Sequence, residues 1–260
     1  MSKQPIGMFD SGVGGTSIWK EIHELLPNEN TIYLADSKNA PYGEKSEKDI
    51  LQLSRKNTEI LLSKNCKIIV VACNTATTNA IDYLRANYKV PFIGIEPAIK
   101  PAALRSTSKT IGILATKGTL SSSLFHSTSE NHASGIKIIE REGAGLVDLI
   151  ESGKVESNET RKLLKEYLEP MIVAGIDYLV LGCTHYPYLI PVLKELLPGN
   201  VKIIDSGEAV ALQTKAILEK NNLLNLSEEK SVLQFYTNTN VSILNSFVDD
   251  DSANVTHLNF

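Results

Sequence analysis

Cys73 and Cys183 are the residues from which chemistry can be argued. Each closes an apolar run: residues 70–77 read VVACNTAT and residues 180–187 read VLGCTHYP. Residues 67–72 and 177–182 have the look of short buried strands. Each thiol therefore falls where a parallel strand would end and its loop begin, the edge at which open α/β sheets hold ligands. Two thiols facing one small molecule suit the inversion of a stereocentre. One removes a proton, and the other delivers a proton to the opposite face. Taken singly, a cysteine after an apolar strand is more often a small buried hydrophobe. Two of them in matched contexts, each beside polar loop residues, argue for function.

Other side chains could serve the thiols. His185 stands two residues after Cys183 and could act as its acid or base partner. Asp10 ends the first apolar strand and could assist Cys73; a turn or helix-cap role is the plainer alternative. Ser11, Asn74, Thr75, Thr184 and nearby backbone N–H groups could bind carboxylates. A pyridoxal phosphate enzyme would need a lysine beside a phosphate cradle. Lys117 lies at a strand end with only Gly118 and Thr119 to offer, so no cofactor is expected. Two Cys, one His and one Asp are a legal zinc set, but there is no Cys-x-x-Cys pair and no metal is expected.

The elements that must position these residues repeat as strand and helix. Residues 6–9 form a strand that runs into Asp10-Ser-Gly-Val-Gly-Gly15, then a helix with Ile18, Trp19, Ile22, Leu25 and Leu26 on one face. The dinucleotide fingerprint fails there, because Ser17 stands where its third glycine belongs. Strands follow at 31–35, 68–72 and 91–95, with a helix from Glu47 to about Ser63 and another after Cys73. Residues 110–115 open a second round with the same Ile-Gly start. Residues 121–134, rich in Ser and His, read as a mobile helix or loop with His126 and His132 facing solvent. A strand at 136–140, helices at 146–151 and 159–173, a strand at 201–204 and a helix to about Leu223 complete the pattern. This order predicts mostly parallel sheets in an α/β fold. The tail from Glu228 shows one strand-like stretch at 232–236 and is expected to return to the first half. The domains expected are 1–97 plus 208–260, and 98–207.

The 260 residues are 42% apolar, enough for one large or two small domains. A net charge of −4 leaves no basic surplus for nucleic acid. Three cysteines without disulfide-like spacing fit a reducing compartment. No signal-like or membrane-spanning run is present, so a soluble cytoplasmic protein is expected.

Phe9-Asp-Ser-Gly-Val-Gly-Gly15, Ala35-Asp36, Pro41-Tyr-Gly43, Ala72-Cys-Asn-Thr-Ala-Thr77 and Gly182-Cys-Thr-His-Tyr-Pro187 occur in that order along most of the chain. In these motifs the chain resembles the glutamate racemases of the aspartate/glutamate racemase family. The resemblance implies that family's fold: two similar α/β domains with mostly parallel sheets and the active site in the cleft between them. It also implies interconversion of L-glutamate and D-glutamate without pyridoxal phosphate or metal, to supply peptidoglycan synthesis. By the resemblance, Cys73 takes the α-proton of D-glutamate and Cys183 that of L-glutamate, with Asp10 supporting the first and His185 the second.

Ser11, Pro41, Tyr42, Gly43, Asn74, Thr75, Thr184 and His185 would surround the substrate, with Thr116 and Thr119 from the second half. Asp36 and Glu151 match acidic positions near the family's site. Many relatives carry a Cys-Pro pair ahead of that glutamate, where this chain has Glu142-Gly-Ala-Gly145. His185 after Cys-Thr favours glutamate over aspartate, and the presence of both cysteines favours racemisation over decarboxylation. A homodimer is expected. Only five residues precede Ile6, so control by a cell-wall precursor through an N-terminal extension is not. The reading from another class is a binding module for a small dicarboxylate with structural cysteines. Rapid, glutamate-protected alkylation of the two thiols would distinguish the enzyme.

Overall fold

The structure is a computed structural model that describes residues 3–227 and 229–260. Its first half runs β1 (Ile6–Asp10), α1 (Thr16–Leu25), β2 (Thr31–Ala35), α2 (Glu47–Ser63), β3 (Ile68–Val71), α3 (Asn74–Asn87), β4 (Phe92–Gly94) and α4 (Ile99–Arg105). The second round is β5 (Thr110–Ala115), α5 (Lys117–Leu120), α6 (Ser123–His132), β6 (Lys137–Glu142), α7 (Leu146–Glu151), α8 (Asn158–Val173), β7 (Tyr178–Gly182), α9 (Ile190–Leu196) and β8 (Lys202–Ile204). Then come α10 (Gly207–Lys220), β9 (Leu233–Thr237), α11 (Val241–Val248) and β10 (Asn254–His257).

The strands form two sheets, ordered β10-β9-β2-β1-β3-β4 and β6-β5-β7-β8, and every pairing is parallel. The run β2-β1-β3-β4 and the run β6-β5-β7-β8 share one topology. Cys73, after β3, and Cys183, after β7, thus occupy equivalent positions in the two sheets.

Period-two alternation explains how the first sheet is covered on both faces. Ile6, Met8, Ile68 and Val70 face a core shared with Ile18, Trp19 and Ile22 of α1 and Val210 and Leu218 of α10. Phe9, Ile69 and Val71 point the other way, onto Ile50 and Leu61 of α2 and Ile81 and Leu84 of α3. The second sheet is covered in the same manner. Ile111, Ile113 and Val180 pack on α4 and Phe125 of α6, while Leu114, Leu179 and Leu181 meet α7 and α8. With both faces buried, only the carboxyl edges of the strands can open onto a ligand.

The structure narrows one part of the sequence reading and extends another. Residues 123–132 form a regular helix capped by Ser122, whose hydroxyl accepts from the Phe125 N–H at 3.2 Å. Phe125, buried, and Leu124, partly buried, dock it; His126 and His132 are exposed. The tail supplies two strands. β9 pairs with β2 in the register Ala35↔Thr237, and β10 joins at the outer edge.

Candidate active site

The thiols converge because both strands end at the same opening. Cys73 and Cys183 line one enclosed cavity together with Ser11, Asn74, Thr184 and His185. Its wall is completed by Pro41, Tyr42 and Gly43 from the loop after β2, and by Thr75, Thr116 and Val147. The space is about 10 Å³, on the scale of one water. Four of the expected residues stand behind this wall: Asp10, Asp36, Thr119 and Glu151.

Cys73 is itself the N-cap of α3, and its sulfur accepts from the Ala76 N–H at 3.4 Å. A helix N-terminus favours a thiolate by about 0.3–1 kcal/mol, or up to ~2 when partly buried. Burying an unpaired anion costs several kcal/mol, so burial should win. It does: burial, followed by the charge of Asp10, pushes the Cys73 thiol well above its ordinary value. The thiol donates to Ser11 Oγ at 3.8 Å. Both catalytic candidates are nearly sealed, at 4% and 7% exposed. The expectation of rapid alkylation therefore gives way to slow alkylation while the cavity is shut.

Asn74, the first residue of α3, carries an informative vacancy in its bonding. It is 3% exposed, and neither its amide nitrogen nor its side-chain oxygen has a hydrogen-bond partner among the described residues. Leaving such a group unpaired costs about 1–3 kcal/mol. An orphaned amide on a cavity wall at a helix N-terminus is ready for a carboxylate.

On the other side, His185 and Glu151 form a buried pair, with Nε2 2.6 Å from Glu151 Oε1. His185 Nδ1 lies 3.8 Å from Cys183 Sγ and 4.0 Å from Asp10 Oδ2. Burial opposes charge on the imidazole, but the bonds to Cys183 and Glu151 and the charge of Asp10 outweigh it and raise its pKa well above the usual value. Burial likewise opposes charge on Glu151. Its bonds to His185, Ser37 and the Val13 N–H prevail and hold the carboxyl below its usual range. Ser37 Oγ donates to Oε2 at 2.7 Å and the Val13 N–H to Oε1 at 2.6 Å. Ser37 lacks any sequence signal, and Val13 is marked only as part of the 9–15 motif; their bonds to Glu151 arise because β1 and β2 end beside α7.

Asp10 ends β1, the strand beside β3, so it stands on the same sheet edge as Cys73 and bonds across to the second half. Oδ2 accepts from the N–H groups of Gly15 (2.9 Å) and Gly12 (3.3 Å), and Oδ1 accepts from Thr184 Oγ1 at 3.2 Å. Its pKa is raised, chiefly by burial. An ionised Asp10 opposes a Cys73 thiolate, so it can aid that thiol only by holding its proton. Asp36 is reached through Tyr42, whose hydroxyl donates to Asp36 Oδ2 at 2.6 Å. Thr119 belongs to a hydroxyl cluster that joins the halves: Thr75 Oγ1 is 2.8 Å from Thr116 Oγ1 and 3.3 Å from Thr119 Oγ1.

The glycine turn after β1 has a steric purpose. A Cβ on Gly12 would collide with the Glu151 carboxylate, and one on Gly14 with the His185 ring. Both ends are pinned by the bonds above and cannot swing aside cheaply. Gly14→Ala should therefore keep the fold and lower turnover by about 10²-fold through a displaced imidazole. Circular dichroism alongside steady-state rates checks this; an active Gly14→Ala protein would remove the imidazole from the chemistry.

Comparison with known proteins bears on this geometry. The Asp/Glu/Hydantoin racemase family matches residues 6–214. A glutamate racemase from Herpetosiphon aurantiacus is 43% identical over 237 residues, covering 91% of this chain and 93% of that protein. A crystal structure of a glutamate racemase isoform from Bacillus anthracis superposes with a TM-score of 0.88 at 29% identity, covering 100% of this chain and 99% of that one. The glutamate racemase of Francisella tularensis, solved in complex with D-glutamate, gives 0.84 at 29% identity, covering 99% and 97%.

Proposed function

The chain belongs to the Asp/Glu/hydantoin racemase family, and from that membership and its site we propose that it interconverts L-glutamate and D-glutamate by proton transfer between two thiols. The observation that carries the reading is the pair of cysteines, at equivalent strand ends, on one cavity.

The substrate's carboxylates would be held by the free Asn74 amide, the N–H groups at the start of α3, and the hydroxyls of Ser11, Thr75, Thr116 and Thr184, with Thr119 bracing Thr75 and Thr116 from behind. Pro41, Tyr42 and Gly43 close the wall. The α-ammonium group brings a positive charge beside the sulfurs and offsets the burial that keeps Cys73 neutral. From D-glutamate, the Cys73 thiolate takes the α-proton: the C–H bond breaks and an S–H bond forms. The Cys183 thiol then gives its proton to the opposite face of the α-carbon, leaving a thiolate beside the His185 imidazolium. L-Glutamate follows the reverse path. Asp10 would hold or return the Cys73 proton, while Glu151 keeps His185 charged. Asp36 acts through Tyr42. The protein thus alternates between two forms that differ in which sulfur carries the proton.

The proposal extends to two domains, 1–97 with 208–260 and 98–207, whose ranges each contain one of the two sheets. It also includes a homodimer in the cytoplasm supplying D-glutamate for peptidoglycan. No helix among the described residues is long and apolar enough to cross a membrane.

The test is isotopic. Cofactor-free protein in deuterated water should incorporate deuterium at the α-carbon of either glutamate enantiomer as optical rotation decays, followed by proton NMR and polarimetry. Exchange with aspartate but not glutamate would reassign the substrate. No exchange with either would overturn the racemase reading.

A further inference from the structure

The tail that begins at residue 233 reaches the substrate wall. Register places Asn238, the residue after β9, beside Asp36, the residue after β2. Asn238 is 7% exposed and its amide is fully engaged. Nδ2 donates to Asp36 Oδ1 at 2.6 Å and to the Phe260 carbonyl at 3.2 Å, while Oδ1 accepts from the Lys38 N–H at 2.9 Å. Asp36 is fully buried; Oδ1 also accepts from Asn39 Nδ2 at 2.8 Å, and Oδ2 accepts from the Tyr42 hydroxyl at 2.6 Å. Asn57 Nδ2 donates to the Tyr42 oxygen at 3.1 Å. The phenol is thereby committed to Asp36, and what Tyr42 offers the cavity is its position and that of its loop neighbours Pro41 and Gly43.

We propose that Asn238 is a positioning residue for the racemisation reaction, setting the 41–43 wall for substrate through Asp36 and Tyr42. The inference rests on the glutamate reading above. Asn238 fixes two things at once: the carboxylate that anchors Tyr42, and the backbone at Lys38 from which the loop departs. Because this wall carries neither thiol, its misplacement acts on substrate binding more than on proton transfer.

The experiment compares wild type, Asn238→Ala and Asn238→Asp in glutamate racemisation in both directions, with thermal melts to establish folding. Asn238→Ala should raise KM about tenfold, with kcat within about threefold of wild type. Asn238→Asp keeps the side-chain volume but sets a carboxylate against Asp36, so its KM should rise further than that of the alanine variant. A merely space-filling role predicts the opposite order. KM within twofold of wild type in both variants, or an aspartate variant closer to wild type than the alanine one, would overturn the inference. Failure of the wild type to racemise glutamate would instead overturn the activity on which it rests.

Discussion

Cys73→Ser and Cys183→Ser should each lower racemisation by about 10²–10⁴-fold, the usual worth of a positioned acid or base. L- and D-glutamate are equal in free energy, so kcat/KM must fall equally in the two directions for either variant. Rates alone therefore cannot say which thiol serves which face, but exchange can. With Cys73 replaced, Cys183 remains able to remove and return a proton on one face. That variant should wash deuterium into L-glutamate without inverting it, and Cys183→Ser should do so for D-glutamate. NMR on each enantiomer separately reads this directly. Full exchange of both enantiomers by either single variant would end the two-thiol mechanism. Cys66 is the internal control: it is buried, its thiol is pushed up to about 12, and it does not line the cavity. Cys66→Ser should leave the rates near those of wild type.

The second large effect is expected at the Glu151–His185 pair. His185→Asn should cost about 10²-fold or more in kcat/KM, by removing the cation beside Cys183. Glu151→Gln gives the more telling result, because it leaves the imidazole in place. Glu151 is one of the groups that raise the His185 pKa. Without its charge that pKa falls, and the imidazolium is lost at a lower pH. The alkaline limb of the pH–rate profile should therefore move to lower pH, with activity retained best on the acid side. An unmoved alkaline limb would show that His185 works neutral, and that Glu151 serves only to orient it.

The two cysteine loops were legible because parallel strands buried on both faces leave an uninterrupted apolar run, and the break in that run marks the sheet edge. Asp10 was legible for the same reason. Glu151 was visible only by resemblance: nothing in the spacing of residues 151 and 185 says that α7 ends against the loop after β7. The glycines at 12 and 14 marked a turn that fits no dinucleotide fingerprint; their bare backbone instead admits the Glu151 and His185 side chains. The tail resisted reading because β10 is a short, polar edge strand, Asn-Val-Thr-His, with no buried face to impose a pattern. Asn238 gave no local signal at all; its contact with Asp36 is a matter of register between strands, the two residues lying 202 apart in the chain.

The cavity of about 10 Å³ has a kinetic meaning. Glutamate cannot enter until the Thr75–Thr116 hydroxyls part and the loops around Glu151 and Thr184 separate. Gated uptake is the expected result: at rising substrate, stopped-flow association should level off at the rate of opening, far below the diffusional ceiling. The apparent affinity should then be that of the open form, scaled by how seldom that form occurs. On the proposed mechanism, what the hydroxyl clasp surrenders in speed of capture it would return as exclusion of water from a carbanion otherwise quenched at random.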